Sequence, residues 1–223
     1  MRTLFITGTN TGCGKTVLTA LLARFLVGQG KRVSAFKPIC SGGRDDAQAL
    51  HAALGGALPL DIINPWHFRA AIAPSLAAKR EHKSISLAQT MAHIHAQQGN
   101  VDVTLVEGAG GLLSPLGKNF DSRDLILGLR AWPIIVAPNR LGVVNHLRLT
   151  VEALPAKYQT KTSIVLMSPS KADTATKSNP ELLKEFFPPA RTYILPWLGE
   201  RFASQTAMSP TKVRHVLGAI TRS

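Results

Sequence analysis

The chemistry of this sequence begins in a glycine-rich segment near its N-terminus. Residues 8–16 read Gly-Thr-Asn-Thr-Gly-Cys-Gly-Lys-Thr, follow a short apolar run and precede a helical pattern. The segment is close to the phosphate-binding pattern G-x-x-x-x-G-K-[ST], although Gly8 stands one position earlier than the first glycine of that pattern. Backbone N–H groups at the start of a helix bind phosphate oxygens. The sequence therefore predicts a nucleotide site in which Lys15 contacts the outer phosphates and Thr16 offers its hydroxyl to Mg²⁺.

Two more charged residues follow apolar runs at the points where strands are expected to end. Glu107 comes directly after residues 101–106 and precedes a Gly-Ala-Gly-Gly run, and Lys37 follows residues 33–36. The carboxyl ends of parallel strands meet at one edge of a sheet, so we expect both side chains to face the crevice of the phosphate loop. There Glu107 can bind Mg²⁺ directly or through water, and Lys37 adds a second ammonium group.

Other candidate side chains are less informative. Asp45 and Asp46 open the next helix, where both could complement the helix dipole or one could be a metal ligand near Lys37, and position alone does not choose between them. The seven histidines show no metal-ligand spacing, which argues against a zinc site. We interpret Cys13 as a small filler beneath the loop and not as a nucleophile.

Short β-type runs alternate with longer helical patterns along the chain. The predicted strands are 4–6, 33–36, 101–106, 133–137, 163–167 and 192–195, and the predicted helices are 18–25, 45–54, 84–97, 121–129, 145–154, 179–187 and 211–220. The expected helix-opening residues are Ser84 or Ser86, Asn179 with Pro180, and Ser209 with Pro210. The polar residues 168–180 are predicted to form a loop.

This alternation defines the fold class. About seven apolar strands separated by helices imply βαβ units, and therefore an α/β fold with a mostly parallel, P-loop NTPase-like sheet and helices on both faces. We expect residues 1–223 to form a single domain.

The composition is typical of a folded protein and carries a large positive net charge. Of the 223 residues 45% are hydrophobic, which excludes the disordered classes, and 26 Lys+Arg against 13 Asp+Glu give a net charge of +13. The surplus is spread over both halves of the chain, so we interpret it as solvated surface and expect no nucleic-acid partner. The two cysteines form no disulfide framework, and the sequence shows neither a signal-peptide core nor a membrane-length apolar run. We therefore expect a cytoplasmic protein without a membrane partner.

Seven segments, taken in order along the chain, resemble the ATP-dependent dethiobiotin synthetase family of P-loop enzymes. They are GTNTGCGKT (8–16), KPICSGG (37–43), the acidic pair before AQAL (45–50), INPW (63–66), VEGAGGLLSPL (106–116), NRLGVVNHLRLT (139–150) and LPWLG (195–199). A phosphate loop alone is only moderately specific. The patterns KPxxSG, VEGAGG and LGxxNH in this order are highly specific for the family.

The resemblance implies a reaction of biotin biosynthesis. The family closes 7,8-diaminononanoate with CO₂ and ATP to dethiobiotin, through a carbamate and a carbamic-phosphoric anhydride, and releases ADP and phosphate. It uses ATP and Mg²⁺ and is a homodimer with its substrate at the subunit interface. By resemblance, Lys15 and Lys37 bracket the γ-phosphate and the carbamate, and Thr11 and Ser41 contact the substrate amines or carbamate.

The resemblance also implies three sets of binding residues. The metal ligands are Thr16, Asp46 and Glu107. The nucleotide contacts are Gly8, Asn10, Gly12, Cys13, Gly14, Lys15, Thr16, Glu107, Gly110, Met167, Pro196, Trp197 and Leu198. The residues that receive the substrate carboxylate from the partner chain are Leu141, Gly142, Val143, Val144 and Asn145.

This chain departs from the family pattern at three places. Gly12 stands where many members have an acidic residue, and Ser75 stands where they have histidine after proline. Met167 and Ser168 stand where members often have Asn-Asp, and a thioether cannot make the paired hydrogen bonds that an amide makes to a base. Two other functions stay open: a related P-loop amidoligase or synthetase with another substrate, and a MinD/ParA-like ATPase switch. Such switches have a second lysine in the loop, where this chain has Asn10.

Overall fold

Strands and helices alternate through the computed structural model, which describes residues 2–188, 191–199 and 211–222. The strands within these ranges are β1 Arg2–Gly8, β2 Val33–Phe36, β3 Ile39–Ser41, β4 Trp66–Phe68, β5 Val103–Glu107, β6 Trp132–Pro138, β7 Ser163–Met167 and β8 Thr192–Leu195. The helices are α1 Lys15–Gly28, α2 Asp45–Ala53, α3 Leu60–Ile63, α4 Pro74–Arg80, α5 Leu87–Gln97, α6 Ser122–Gly128, α7 Val143–Glu152, α8 Ala156–Gln159, α9 Thr174–Leu183 and α10 Thr211–Arg222.

Six strands form one parallel sheet in the order β2-β5-β1-β6-β7-β8. In its centre, Ile6 of β1 pairs with Glu107 of β5 and with Ile134 of β6. The short strands β3 and β4 pair with each other in a separate parallel sheet. The predicted P-loop NTPase-like fold class is confirmed, with six strands in the main sheet where about seven were expected.

Alternate residues of the strands pack into two apolar cores on opposite faces of the sheet. Leu4 and Ile6 belong to the core that α1, α2 and α10 cover, and Phe5 belongs to the core beneath α4 to α7. Helices therefore cover both faces, as a parallel sheet requires. The carboxyl edge of the sheet remains for polar chemistry.

The helix after β7 begins earlier than the sequence predicts. Residues 168–180 read as a loop, whereas α9 already begins at Thr174. The side chain of Asp173 caps it by accepting a hydrogen bond from the backbone N–H of Thr176 at 2.7 Å. This cap satisfies a free N–H group of the first turn, so a polar stretch with weak apolar periodicity still forms a helix.

The predicted start of this helix at Asn179 is therefore wrong, although residues 179–183 of the predicted range 179–187 are helical. Asn179 lies inside α9 and donates its side-chain amide to Asn139 Oδ1 at 2.8 Å and to the carbonyl of Arg140 at 3.0 Å. It anchors the helix on the segment after β6. Pro180 also lies inside α9, although proline is usually restricted to the first turn.

Other helix boundaries follow the sequence more closely. Ser86, one of two predicted caps, forms a capping box with Gln89 at the start of α5. The residues Ser209 and Pro210, predicted to open the last helix, lie outside the described residues. The elements β3, β4, α3, α4 and α8 were not predicted. All but α4 have only three or four residues, which is too few for a periodic pattern. Within the described ranges, no helix has the length and apolar character needed to cross a membrane.

Candidate active site

Three neighbouring strands end in side chains that the sequence predicted to be functional. β1 leads into the phosphate loop, Lys37 follows β2, and Glu107 ends β5, which lies between the other two strands. A cavity of about 840 Å³ opens at this edge. The predicted residues that line it are Thr11, Gly12, Gly14, Lys15, Thr16, Lys37, Ser41, Asp46 and Gly110. The fold thus brings together residues from four separate segments of the chain.

The phosphate loop wraps around the N-terminus of α1. Gly12 and Gly14 have φ angles of 71° and 98°, in the left-handed region that favours glycine. A Cβ atom on Gly14 would also lie 2.9 Å from Cε of Met167, so both backbone and space require glycine there. Gly14 is the N-cap residue of α1 and has no side chain to cover the first N–H groups. Such a helix start can bind anionic oxygens.

The side chain of Lys15 folds back over its own loop. Its Nζ donates to the carbonyl of Asn10 at 3.0 Å and lies 3.9 Å from Cys13 Sγ. Burial lowers the pKa of Lys15, and the nearby ammonium of Lys37 lowers it further. A bound phosphate would offset this concentration of positive charge. Cys13 is buried, and its Sγ occupies the space that a Cβ atom on Gly8 would need.

Four side chains from four segments form one hydrogen-bonded cluster. Nζ of Lys37 lies 2.7 Å from Oε1 of Glu107 and 2.7 Å from Oδ2 of Asp46. Oγ1 of Thr16 lies 2.8 Å from the same Glu107 oxygen and 2.7 Å from Oδ1 of Asp46. These contacts distinguish the two aspartates at the start of α2, because Asp46 makes them and Asp45 does not appear in any of them.

The cluster fixes the charge of its members. Burial alone would lower the pKa of Lys37, but the carboxylates of Glu107 and Asp46 raise it well above its ordinary value. Burial likewise acts to raise the pKa of Asp46, and the Lys37 ammonium together with hydrogen bonds from Lys37 and Thr16 holds it below its ordinary value. Lys37 is therefore a permanent cation at neutral pH, suited to stabilising negative charge and not to accepting a proton.

The oxygen atoms of this cluster fit a small divalent cation. Two carboxylate oxygens, one from Asp46 and one from Glu107, lie within 2.8 Å of the Thr16 hydroxyl oxygen. The hydroxyl has a single hydrogen and can donate to only one of them at a time. Oε2 of Glu107 is fully buried and has no hydrogen-bond partner among the described residues. One hydroxyl and two carboxylates suit Mg²⁺, which keeps several waters and substrate phosphates among its ligands. This set contains only two acidic side chains. The described ranges contain no cluster of three or more His, Cys, Asp or Glu side chains able to hold a metal.

The loop after β5 packs against the phosphate loop. Gly110 has a φ angle of 70°, and a Cβ atom on it would lie 2.8 Å from Cβ of Ser114. A Cβ atom on Gly111 would lie 3.3 Å from the carbonyl oxygen of Thr9. The Ser114 hydroxyl accepts the N–H of Gly111 at 2.9 Å. The glycine run therefore permits the close approach of two loops that both line the cavity.

Thr11 and Ser41 line the cavity, Thr11 from the phosphate loop and Ser41 from the end of β3. The hydroxyl of Ser41 donates to the carbonyl of Ile72 at 2.6 Å, which ties the end of β3 to the segment before α4. Residues 71–74 and 114–115 also line the cavity, and sequence reasoning missed them as functional residues. Residues 114–115 lie inside the VEGAGGLLSPL segment, and Pro74 is the proline before Ser75 in the family comparison, so both were available signals, whereas residues 71–73 carry no recognisable pattern.

The predicted base contacts lie on the other side of the phosphate loop, beyond β6. Met167 ends β7 and approaches Gly14, and the N–H of Ser168 donates to the carbonyl of Leu195 at 2.9 Å, which joins the ends of β7 and β8. Trp197 follows β8 and is 61% exposed. The residues of this group do not line the 840 Å³ cavity and form a separate surface.

Residues 141–145 lie at the start of α7, also outside the cavity. Gly142 is the N-cap residue, with a φ angle of 86°, and Leu141 is 84% exposed. Like Gly14, Gly142 leaves the first N–H groups of its helix without a side-chain cap. A single chain therefore exposes Leu141, Gly142 and Asn145 away from its own cavity, while the side chain of Val143 packs into the core.

Comparison with known sequences gives one consistent result. A protein-family model described as an AAA domain matches residues 2–205. A curated relative from Anaeromyxobacter sp. (strain Fw109-5), called ATP-dependent dethiobiotin synthetase BioD, is 41% identical over 177 residues, which cover 78% of this chain and 79% of the relative. A relative of the same name from Xylella fastidiosa (strain Temecula1 / ATCC 700964) is 36% identical over 160 residues, covering 68% and 71% of the two chains.

Comparison with solved structures shows the fold alone. The MinC:MinD cell division protein complex of Aquifex aeolicus matches with a TM-score of 0.61 at 15% identity, over 100% of this chain and 95% of the other. The structure of pNOB8 ParA bound to nonspecific DNA matches with a TM-score of 0.61 at 13% identity, over 99% and 97%. At these identities the likeness extends to the arrangement of strands and helices.

Proposed function

The chain belongs to the AAA domain family and to the ATP-dependent dethiobiotin synthetases, and we propose that its 840 Å³ cavity converts 7,8-diaminononanoate, CO₂ and ATP to dethiobiotin, ADP and phosphate. The observation that carries this assignment is the presence of two lysines from separate segments at one cavity, with Lys37 held 2.7 Å from each of two carboxylates. An anionic carbamate that attacks an anionic phosphate needs positive charge on both sides of the forming bond.

The reaction proceeds in three steps. One amine adds to CO₂ and loses a proton, which gives a carbamate. A carbamate oxygen attacks the γ-phosphorus of ATP, the bond to the β–γ bridging oxygen breaks, and ADP leaves. The second amine attacks the carbamate carbon, the bond between that carbon and the phosphate oxygen breaks, and the cyclic urea forms as phosphate and a proton are released.

The two lysines supply charge stabilisation and positioning. Lys15, at the start of α1, binds the outer phosphates together with the N–H groups of the loop. Lys37 contacts both the γ-phosphate and the carbamate and stabilises the charge that develops between them. Its contacts with Glu107 and Asp46 hold Nζ in place before substrate arrives, so little reorganisation is needed during the reaction.

The Thr16, Asp46 and Glu107 oxygens would hold Mg²⁺. The unpartnered Oε2 of Glu107 and the two carboxylate oxygens around one hydroxyl support this assignment. When bound, the ion neutralises phosphate charge and orients the nucleotide.

The diamine lies between Thr11 and Ser41, which contact its amines or the carbamate. We further propose a homodimer in which the start of α7, residues 141–145, receives the substrate carboxylate bound to a second copy of the chain. The exposed, glycine-capped start of this helix supports the idea, since helix N-termini bind carboxylates. Adenine would lie against Met167 and residues 196–198.

The decisive experiment measures phosphate release and dethiobiotin formation by the purified protein. We expect turnover that requires the diamine, bicarbonate, ATP and Mg²⁺ together, with dethiobiotin identified by mass spectrometry. The absence of diamine-dependent turnover with any common nucleotide would falsify the assignment. An ATP hydrolysis rate that does not change with the diamine but rises with DNA or lipid vesicles would instead favour a MinD/ParA-like switch.

A mixing experiment tests the shared site. Asn145→Asp places a carboxylate where the substrate carboxylate would bind, and Lys37→Ala removes the catalytic cation. If each site uses residues of two chains, mixed dimers of these two inactive variants contain one intact site and regain about a quarter to a half of the activity. Mixtures that stay as inactive as the separate variants would argue against a site formed by two chains.

A further inference from the structure

One buried amide in the INPW segment (63–66) takes no part in the reaction outlined above. Asn64 is 1% exposed, and its side chain is fully hydrogen-bonded. Nδ2 donates to the carbonyl of Lys37 at 2.7 Å, and Oδ1 accepts from Nε of Arg44 at 3.1 Å and from Sγ of Cys40 at 3.2 Å. A single amide therefore connects three positions of the segment that carries the reactive lysine and leads into α2.

At one end, the amide holds the backbone of Lys37, which lies just beyond the last residue of β2. β2 ends at Phe36, and Pro38 has no N–H group with which to continue a ladder. The N–H of Lys37 donates to the carbonyl of Ile63 at 3.0 Å, and its carbonyl accepts from Asn64. Both backbone groups of Lys37 are thus fixed by adjacent residues of one segment.

At its other end, the amide holds the start of α2. Arg44 is the residue immediately before this helix, and its guanidinium donates to the side chain of Asn64 and also to the carbonyls of Asn64 and Leu60 at 3.0 and 3.2 Å. Asp46 lies two residues further on, and its Oδ2 is 2.7 Å from Nζ of Lys37. Asn64 therefore holds both the backbone of Lys37 and, through Arg44, the start of the helix that carries Asp46.

We propose that Asn64 is a positioning residue for phosphoryl transfer, which sets the distance between the backbone of Lys37 and the start of the helix that carries Asp46. The inference rests on the proposed function, because it assigns Asn64 an effect on the step that Lys37 promotes. A displacement of about 1 Å at a group that must meet a transition state lowers the rate on the order of a hundredfold.

The exchange Asn64→Asp tests this role with almost no change of shape. It keeps an oxygen for Arg44 and Cys40 but replaces the N–H donor by an oxygen that faces the carbonyl of Lys37. We expect kcat for dethiobiotin formation to fall about 10- to 100-fold while the KM for ATP stays within about threefold, because the hydrogen bonds of the Asn64 side chain go to residues outside the phosphate loop. A folded variant whose kcat changes by less than about threefold would overturn the proposal.

Asn139→Asp is the matched control. Asn139 is 2% exposed, its Nδ2 donates to the carbonyl of Thr176 at 2.9 Å, and its Oδ1 accepts from Asn179. The exchange removes the same kind of buried donor, so we expect a lowered Tm with kcat within about threefold of the unsubstituted protein. If this control loses as much kcat as Asn64→Asp, a general weakening of the fold explains both results and the proposal fails.

A double-mutant cycle tests whether the effect passes through Lys37. In a Lys37→Ala background, measured by single turnover with enzyme in excess, Asn64→Asp should lower the residual rate by less than about threefold. A further 10- to 100-fold loss would show that the two residues act independently and would contradict the proposed role.

The crystal structure of the Asn64→Asp variant gives a readout that does not depend on turnover. We expect Nζ of Lys37 to move by about 1 Å relative to Asp46 and Glu107. If the unsubstituted protein makes no dethiobiotin, the proposed function fails, and a displaced Lys37 still supports the positioning contact. If the protein is active and Lys37 does not move in the variant, the positioning role fails and the function stands.

Discussion

The phosphate loop separates two unlike regions at the carboxyl edge of the sheet. On the side of β5 and β2, Lys37 and Glu107 are buried, and Nζ of Lys37 lies 2.7 Å from a carboxylate oxygen of Glu107 and 2.7 Å from one of Asp46. On the side of β7 and β8, the predicted base contacts include the thioether of Met167, which packs against Gly14, and the exposed indole of Trp197. The first region is built from directional contacts between charges, and the second from apolar surface.

This difference predicts how each region tolerates change. A buried ion pair keeps its geometry only while every partner is present, because removing one partner leaves an uncompensated charge. Apolar contact is non-directional and scales with area, so its loss weakens binding gradually. Substitutions on the β5–β2 side should therefore lower kcat steeply, and substitutions on the β7–β8 side should change nucleotide affinity and selectivity modestly.

The largest effect is expected from Lys37→Ala. Turnover should fall about a thousandfold or more, whereas ATP binding stays within about tenfold, since the loss removes charge stabilisation in the transition state and leaves the phosphate loop intact. Stopped-flow phosphate release and equilibrium ATP binding measure the two quantities. Lys31→Ala, at an exposed lysine just before β2, serves as the control and should retain full turnover. Near-normal activity of Lys37→Ala would remove the assigned role.

The second largest effect is expected from Glu107→Gln. Turnover should fall about a hundredfold, and the Mg²⁺ concentration that gives half-maximal activity should rise at least tenfold. The amide keeps the shape but weakens both the proposed metal site and the contact with Lys37. Its control is Asp102→Asn, at the residue just before the strand that Glu107 ends, where Asp102 pairs with Arg32 at 3.1 Å. Titration of activity with Mg²⁺ measures the effect, and an unchanged Mg²⁺ requirement would exclude Glu107 as a ligand.

The pH dependence of stability tests the charged side without substrate. The pKa of Asp46 is held below its ordinary value of 3.8, so its contacts stabilise the fold above that value and lose this effect as pH falls through the lowered pKa. In the presence of a chelator, Asp46→Asn should have a Tm several degrees below that of the unsubstituted protein at about pH 7, and the difference should shrink towards about pH 3. A difference that stays constant across this range would argue against the ion pair.

The sequence predicted the parts of the site that depend on neighbouring residues. Gly14, Lys15 and Thr16 were found because a glycine-rich turn between an apolar strand and a helix is a local signal. Lys37 and Glu107 were found because each follows a short apolar run, and parallel strands bring their carboxyl ends together. Spacing alone did not choose between Asp45 and Asp46. The family resemblance implied Asp46, and in the structure Asp46 is the one that contacts Thr16 and Lys37.

The remaining parts depend on contacts between distant segments. Asn64 holds Lys37 across 27 positions of the chain, and no spacing rule connects an INPW segment with a KPIC segment. Residues 71–74 enter the cavity because Ser41 binds the carbonyl of Ile72. The early start of α9 was missed since one aspartate cap outweighed a polar composition. In each case a side-chain hydrogen bond fixes the local structure, and such a bond leaves no trace in the hydrophobic periodicity from which helices and strands were predicted.

On the β7–β8 side, Trp197→Ala should raise the KM for ATP about tenfold and leave kcat within about twofold. An exposed indole can stack on a base, and such stacking contributes about 1–3 kcal/mol. Steady-state kinetics with varied ATP measure the change. A fall in kcat with an unchanged KM would place Trp197 in the chemistry and would remove the contrast between the two sides.

The smallest effect, and the most specific, is expected from Met167→Asn. The thioether packs against Gly14 but offers no donor, so the unsubstituted protein should distinguish ATP from other nucleoside triphosphates only weakly through this side chain. An amide at the end of β7 can both donate to and accept from adenine, and we expect the ratio of kcat/KM for ATP to that for GTP to rise about fivefold. This is the lower part of the range of about 1–3 kcal/mol for a paired base contact, because the substitution also loses apolar packing. Met91→Asn, at a methionine packed beside Gly128, should lower stability without changing the ratio. If Met167→Asn leaves the ratio unchanged, backbone groups and not this side chain distinguish the base, and the apolar side of the site is as tolerant as its contacts suggest.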